Sequence, residues 1–415
     1  MRKQNVLRLV IVAGSVAGLA TSSQAARRTG LAGNLLIEDK DDVYMFPQEA
    51  VKHARLIAFD YGGSTTEGNA LLLLGDQYQA WGLAIHRADV IDSMRFGPRM
   101  ALNDATSIES TSLDHDRTRL GAVGSPAGDG FRAPFTIIDG IWAMSTPGAA
   151  SYGLRIALGN NSEIVDPDND PKEQGDKQTF MLLQGGMSND SGSLKYDAAA
   201  ALFLDFGTVL SDGDETAVAT HVDISASFRG LMDLDGEKDT KLGVLGHGGY
   251  TKQTIEHNEG SNDFAEDRGS LRFMGGAGPV ITLTDRITVS AYGLLGVWMS
   301  NEEPNTEGDK DQTAATSLLM PGFNIATEIK LTDWWYFRTG TEYLYFVKTK
   351  DQARNVGAQE SAFRANPYAW NAGFGFKLAD LTFDGALQHG WLTSGPDFIG
   401  GDSPLFAVVS ASARF

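Results

Sequence analysis

The last eleven residues, Leu405 to Phe415, alternate strictly and stop on an aromatic. Counting back from Phe415, one face carries Ala413, Ala411, Val409, Ala407 and Leu405; the other is polar at Arg414, Ser412 and Ser410 and continues with Val408 and Phe406. A period of two is the mark of a strand, and a tilted strand of about 9–11 residues crosses the hydrocarbon core of a bilayer. A strand left bare at a sheet edge exposes unpaired N–H and C=O groups and invites aggregation. A chain that ends this way escapes that cost by pairing its last strand with its first and closing a barrel.

The beginning of the chain points to export. Arg2, Lys3 and Arg8 form a basic region, Leu9 to Ala20 an apolar one, and Ser23-Gln24-Ala25 a small-x-small cleavage site. This is the layout of a secretory signal peptide, with cleavage expected after Ala25. Its apolar run is shorter than the roughly 20 residues a spanning helix needs. Loss of three basic residues takes the formal net charge from −19 to −22, which disfavours nucleic acid as a ligand. The 415 residues contain no cysteine, so disulfides and thiolate metal sites are unavailable.

No second apolar run approaches the length of a membrane helix; the longest, Ala198 to Leu204, fits a strand. Alternating segments recur instead. Val222, Ile224, Ala226 and Phe228 interleave with His221, Asp223, Ser225, Ser227 and Arg229. Phe323, Ile325, Thr327, Ile329 and Leu331 interleave with Asn324, Ala326, Glu328 and Lys330. Apolar-out, polar-in dyads about ten residues long belong to a membrane barrel with a wet interior, although a β-sandwich also alternates. Connection lengths separate the two. Tight links at Leu74–Gln77, Thr284–Asp285, Thr332–Asp333 and Ala379–Asp380 lie between polar stretches at 160–177, 256–268, 301–312, 349–364 and 394–403. Short periplasmic turns alternating with long extracellular loops are the pattern of outer-membrane barrels.

Ending on Phe415 at the close of an alternating strand, the chain resembles Gram-negative outer-membrane β-barrel proteins. The resemblance implies an outer-membrane location, contact with lipid and lipopolysaccharide, and Phe415 as the residue read by the barrel-assembly machinery. The expected fold is therefore all-β: an antiparallel, up-and-down transmembrane barrel of about 16 strands over 54–415, or 14 if an early hairpin is a plug or a bent strand. Strands are expected at 54–61, 68–74, 77–86, 131–144, 151–159, 179–187 and 194–206. Further strands start near Ala217, Leu242, Ser270, Arg286, Thr316, Trp334, Pro367, Leu381 and Leu405. Aromatics at Trp334–Phe337, Tyr343, Tyr345, Phe346, Tyr368, Trp370, Trp298 and Trp391 are expected to form interfacial girdles.

Residues 26–53 are set apart as a periplasmic acidic segment, with Glu38, Asp39, Asp41, Asp42 and Glu49. Two roles are open to it, a plug or docking segment and a polar lead-in to the first strand, with the lead-in preferred. Asp166, Asp168 and Asp170 offer hard-cation ligands, but Pro171 and Lys177 stand where an EF-hand needs Gly and Glu. Solvated loops are the default for such runs. No phosphate-cradling, nucleophile-elbow or metalloprotease motif occurs, and His221 with Asp223, or His389 near Asp384, lacks a third partner, so neither enzyme activity nor a cofactor is expected. Charges on the inferred inward faces are the better site candidates: Arg155, Asp223, Arg229, Arg272, Glu328, Arg338, Glu342 and Asp384, with Lys330. Facing lipid, Arg or Lys would cost roughly 2–4 kcal/mol at the midplane; facing inward, they line a water-filled path or pair with each other. The 44 residues 87–130 are a candidate infolded loop. The function expected is a porin-like channel for passive diffusion of small hydrophilic solutes. A closed barrel used as a surface scaffold or binding protein is the alternative, ahead of a lipid hydrolase at the rim. Glycines and a proline at 275–279 would suit a lateral opening or a bulge. A homotrimer is compatible with all of these.

Overall fold

The computed structural model describes residues 26–62, 68–85, 136–146, 150–165, 174–211, 214–234, 239–257, 264–305, 313–343, 346–352, 363–365, 368–387 and 406–415. The expected signal peptide, the 87–130 segment, Asp166, Asp168, Asp170 and His389 lie outside them.

Eighteen strand segments form one antiparallel sheet. They are β1 (Leu56–Gly62), β2 (Gly68–Gly75), β3 (Gln79–Ile85), β4 (Thr136–Ser145), β5 (Ala150–Val165), β6 (Gln174–Asp190), β7 (Leu194–Ser211), β8 (Asp214–Asp233) and β9 (Thr240–His257). The second half holds β10 (Phe264–Thr284), β11 (Ile287–Asn305), β12 (Thr313–Lys330), β13 (Trp335–Tyr343), β14 (Phe346–Gln352), β15 (Phe363–Ala365), β16 (Tyr368–Leu378), β17 (Leu381–Leu387) and β18 (Phe406–Arg414). β12 pairs with β13 along one half of its length and with β14 along the other. β13 and β14 are thus two parts of one stave, and β16 and β15, their respective partners, are two parts of the next. The segments resolve into sixteen staves. The ring closes where β18 pairs antiparallel with β1, with Ile57 opposite Ala413 and Phe59 opposite Ala411. The edge that a bare terminal strand would leave is paired on both sides.

Alternation sorts the two faces. Outward on β5 and β6 stand Tyr152, Leu154, Ile156, Leu158, Met181, Leu183 and Met187, all exposed. Trp81, Ile224, Phe228, Phe273, Leu295, Phe323 and Ile325 continue the apolar surface around the sheet. Inward on the wall lie Arg155, Gln184, Asp197, Asp223, Arg229 and Arg272, all buried. An apolar exterior around a charged interior is a transmembrane barrel; in a sandwich the two faces would be exchanged. Trp334, Trp335 and Phe376 stack at the short-turn rim. Tyr336 departs from the expected girdle and turns inward beneath the Arg338 guanidinium.

The strands run further than their apolar faces. β8 has 20 residues and β10 has 21, or about 65–70 Å at 3.3 Å per residue, well beyond a bilayer core even when tilted. Much of the polar sequence at 256–268 and 301–312, expected as loop, is strand. The ladder needs only backbone partners, so it continues into solvent, where Lys252 and Asp267 face each other outside. The 275–279 stretch does not open the wall. β10 keeps its register with β9 through Pro279, opposite Leu242, and on the other side a Cβ at Gly276 would stand 2.7 Å from the Gly293 carbonyl.

Candidate functional site: the occupied lumen

Residues 26–52 lie inside the barrel, in the half that ends in the short turns. A short helix (Ala26–Gly30) leads through turns to two 3₁₀ helices, Lys40–Tyr44 and Pro47–Val51. Asp39 caps the first by accepting from the Asp41 amide, and Asp42 reaches back to the Asp39 N–H. Pro47 starts the second, where its fixed φ suits a first turn. Almost every side chain from Ala26 to Val51 is buried or half-buried. The segment expected as a periplasmic lead-in is a plug. Sequence reasoning preferred the lead-in because a run of carboxylates is normally solvated; these are neutralised by Arg27, Arg28, Lys40 and Lys52 of the same segment together with Arg229 and Lys195 from distant strands.

The wall makes room for the plug. At Gly340 a Cβ would stand 2.5 Å from the Leu31 carbonyl carbon, and at Gly153 it would overlap the Gln48 amide. Leu36, Met45 and Phe46 pack on Leu231, Leu245, Met274 and Leu294, and Val43, Tyr44, Ala50 and Val51 pack on Leu56, Leu71, Leu73 and Ile141.

Charge ties the plug all around the ring. The Ala26 N–H donates to Ser410 Oγ at 2.8 Å. Arg27 forms a fork on Glu328 at 2.9 and 3.1 Å and also reaches Asp39 at 3.2 Å. Arg28 pairs with Asp42, which also receives Arg229 Nη1 at 2.6 Å. Arg229 donates to Asp197 at 2.8 and 2.9 Å, and to the Leu35 carbonyl at 3.1 Å, with its guanidinium over the Phe46 ring. Lys40 meets Asp60 at 3.1 Å. Arg155, fully buried, forks onto Asp139 at 2.6 and 2.8 Å and caps the Tyr44 carbonyl at 2.7 Å. Asn324 holds the Ala32 carbonyl at 2.8 Å and donates to Glu342 at 3.3 Å. Burial alone would raise the Asp39 carboxyl, but Arg27, Arg28 and Lys40 hold it well below the ordinary range. Burial, then the neighbouring Asp197 carboxylate, pushes Glu49 up to about 8.

Eight of the nine charges named for inward faces stand in three settings, and Lys330 instead pairs with the exposed Asp333 at the short-turn rim. Arg155, Arg229, Glu328 and, through Asn324, Glu342 engage the plug. Arg338 bridges Glu328 and Asp384 along the wall. Arg272 and Asp223 form a separate bidentate pair at 2.7 and 2.9 Å, with Thr251 Oγ1 at 2.9 Å from the same guanidinium. Ser227 Oγ lies 3.0 Å from His247 Nδ1, while Arg272 Nε donates to Nε2 of that ring at 3.3 Å. Arginine offers no acceptor, so Nε2 accepts and Nδ1 carries the proton; this imidazole donates to Ser227 and does not abstract its proton. Among the described residues no group of three or more His, Asp or Glu is arranged to hold a metal. Sequence reasoning missed the plug's own Arg27, Arg28, Asn34, Lys40 and Gln48. The available signal was inward-register glycine, as at Gly153 and Gly340, beside apolar residues at Leu35–Ile37 and Val43–Phe46 that a solvated lead-in does not need.

No family model matches the chain, and no characterised protein matches it in sequence. Solved structures do align with it. A FadL homologue from Pseudomonas aeruginosa is 12% identical, with 96% of this chain and 100% of that one covered and a TM-score of 0.43. The toluene transporter TodX from Pseudomonas putida is 9% identical over 96% and 99%, with a TM-score of 0.39. The ferric yersiniabactin uptake receptor FyuA from Yersinia pestis is 10% identical over 61% and 44%, with a TM-score of 0.39. The chain therefore spans less than half the length of that receptor.

Proposed function

We propose that this protein is an outer-membrane transport barrel for small hydrophilic solutes, without enzyme activity, whose lumen is gated by its own N-terminal segment. The observation that carries this reading is the way the plug is held. Its seat joins two apolar clusters to an ionic and hydrogen-bonded surface, and the wall arginines that hold it keep wall partners of their own: Asp139 for Arg155 and Asp197 for Arg229. A plug released from such a seat leaves Arg155 and Arg229 paired on the wall and Glu328 with Arg338, while Asp60 and Lys195 give up their plug counter-charges. Charges of both signs along the vacated path would hold water and bias solute charge. Passage is thus conditional on displacement of residues 26–52.

Planar-bilayer conductance tests this. Residues 26–415, refolded, should show a mostly closed barrel with infrequent openings. A variant lacking 26–53 should give a large, steady, ohmic conductance. If the truncated barrel migrates as a folded, heat-modifiable species and still conducts nothing, the transport reading fails and a closed scaffold takes its place.

A further inference from the structure

At the short-turn mouth, where the end of the plug meets the wall, lies a cavity of about 280 Å³. It is lined by Ser145, Thr146, Ser151, Ser188, Gln77, Asn189 and Asp190, with Val51 as its sole apolar residue; the carbon atoms of these residues form the larger part of its surface. Two ammonium groups border it, Lys52 from the plug and Lys195 from the start of β7. Both are turned toward one carboxylate of the plug. Lys195 forms an ion pair with Glu38, and Lys52 Nζ stands 3.9 Å from the same Glu38 oxygen while it also holds Glu49 at 2.7 Å. Glu38 thus occupies a carboxylate site made half by the plug and half by the wall.

We infer that this cavity binds a small polyhydroxylated carboxylate, of the sugar-acid type, whose carboxylate takes the place of Glu38 between Lys52 and Lys195. The lining supports both halves of that ligand. Ser, Thr, Asn and Gln side chains each donate and accept, as ligand hydroxyls do, and Asp190, also at the wall, accepts from a hydroxyl. The volume falls just under the roughly 300–1,000 Å³ of sites for drug-sized ligands, which suits a single sugar ring. The displaced group belongs to the plug, so the ligand breaks a plug-to-wall tie as it binds. This last step rests on the gating reading above; the binding itself does not.

Isothermal titration of refolded residues 26–415 with D-glucuronate, D-glucose and acetate separates the claims. Glucuronate should bind at least tenfold more tightly than either comparison compound. Lys195→Gln should weaken it at least tenfold, and Lys52→Gln serves the same purpose if the first variant fails to give a heat-modifiable barrel. Glu38→Gln should tighten it several-fold, because the resident competitor is gone. Equal binding of glucose, equal binding of acetate, or glucuronate affinity indifferent to both lysines overturns the site. Glucuronate binding without any change in bilayer conductance would leave the site standing and count against gating; a conducting truncated barrel alongside full-length protein that ignores glucuronate would do the reverse.

Discussion

Arg229 ties its own strand to Asp197 on the adjoining strand and to the plug through Asp42 and the Leu35 carbonyl. Removing one member of a buried pair costs about 3–5 kcal/mol because the partner charge stays behind. Arg229→Ala leaves Asp42 with Arg28 but Asp197 without its guanidinium, so it should raise the open fraction in bilayers to a level near that of the truncated barrel. Glu49 gives the seat a pH dependence. Seated, it keeps its proton up to about pH 8 against an ordinary 4.5, so seating takes up a proton and weakens as pH rises through that interval. His53 acts in the opposite direction: burial lowers it from 6.5 to about 4, and seating weakens as pH falls between those values. From pH 6.5 to 8, at 1.36 kcal/mol per unit, the contribution of Glu49 to the seat should fall by about 2 kcal/mol. The open fraction should therefore rise across that range in the native protein and rise less steeply in Glu49→Gln.

Among the elements, the terminal strand behaves as its alternation requires. Its outward set, Val409, Ala411 and Ala413, lies opposite Tyr61, Phe59 and Ile57, so closure joins residues about 350 positions apart. Cysteines introduced together at Ile57 and Ala413 should crosslink with a short bifunctional reagent in the folded protein and not in the heat-denatured one. Absence of the crosslink in a heat-modifiable barrel would contradict the register. The plug is the opposite case, an element with no periodicity to announce it. Its seat is legible only where the wall lacks side chains: Gly340→Leu would drive a side chain into Leu31 and unseat the plug while leaving the β12–β13 ladder intact. Steady conductance from that variant, with heat-modifiable migration retained, is the expected result. Strand ends were the other blind spot. An apolar face reports where lipid stops, whereas the ladder stops only where backbone pairing does, and in β10 the two differ by many residues.

For the whole molecule, wall and plug are separable. The pairs Arg155–Asp139, Arg229–Asp197, Arg338–Asp384 and Arg272–Asp223 lie within the wall, so deletion of 26–53 should leave a barrel that still migrates faster unheated than heated. Loss of that behaviour would mean that the plug is part of the core. The sequence by itself determined the wall. Dyads along each strand, tight turns and a paired final strand are local or nearest-neighbour properties, and the sixteen strands they imply agree with the sixteen staves. It also determined that Arg155, Arg229 and Arg338 face inward, because a period of two fixes the face once one neighbour is known to meet lipid. Only the tertiary structure decided what they face. Whether an inward arginine borders water, a neighbouring strand or the first residues of the chain depends on contacts between positions far apart in sequence. No local period records such contacts, and the acidic run that looked like solvated sequence is neutralised inside the lumen, partly by Arg27 and Arg28 beside it and partly by Arg229 and Lys195 of the wall.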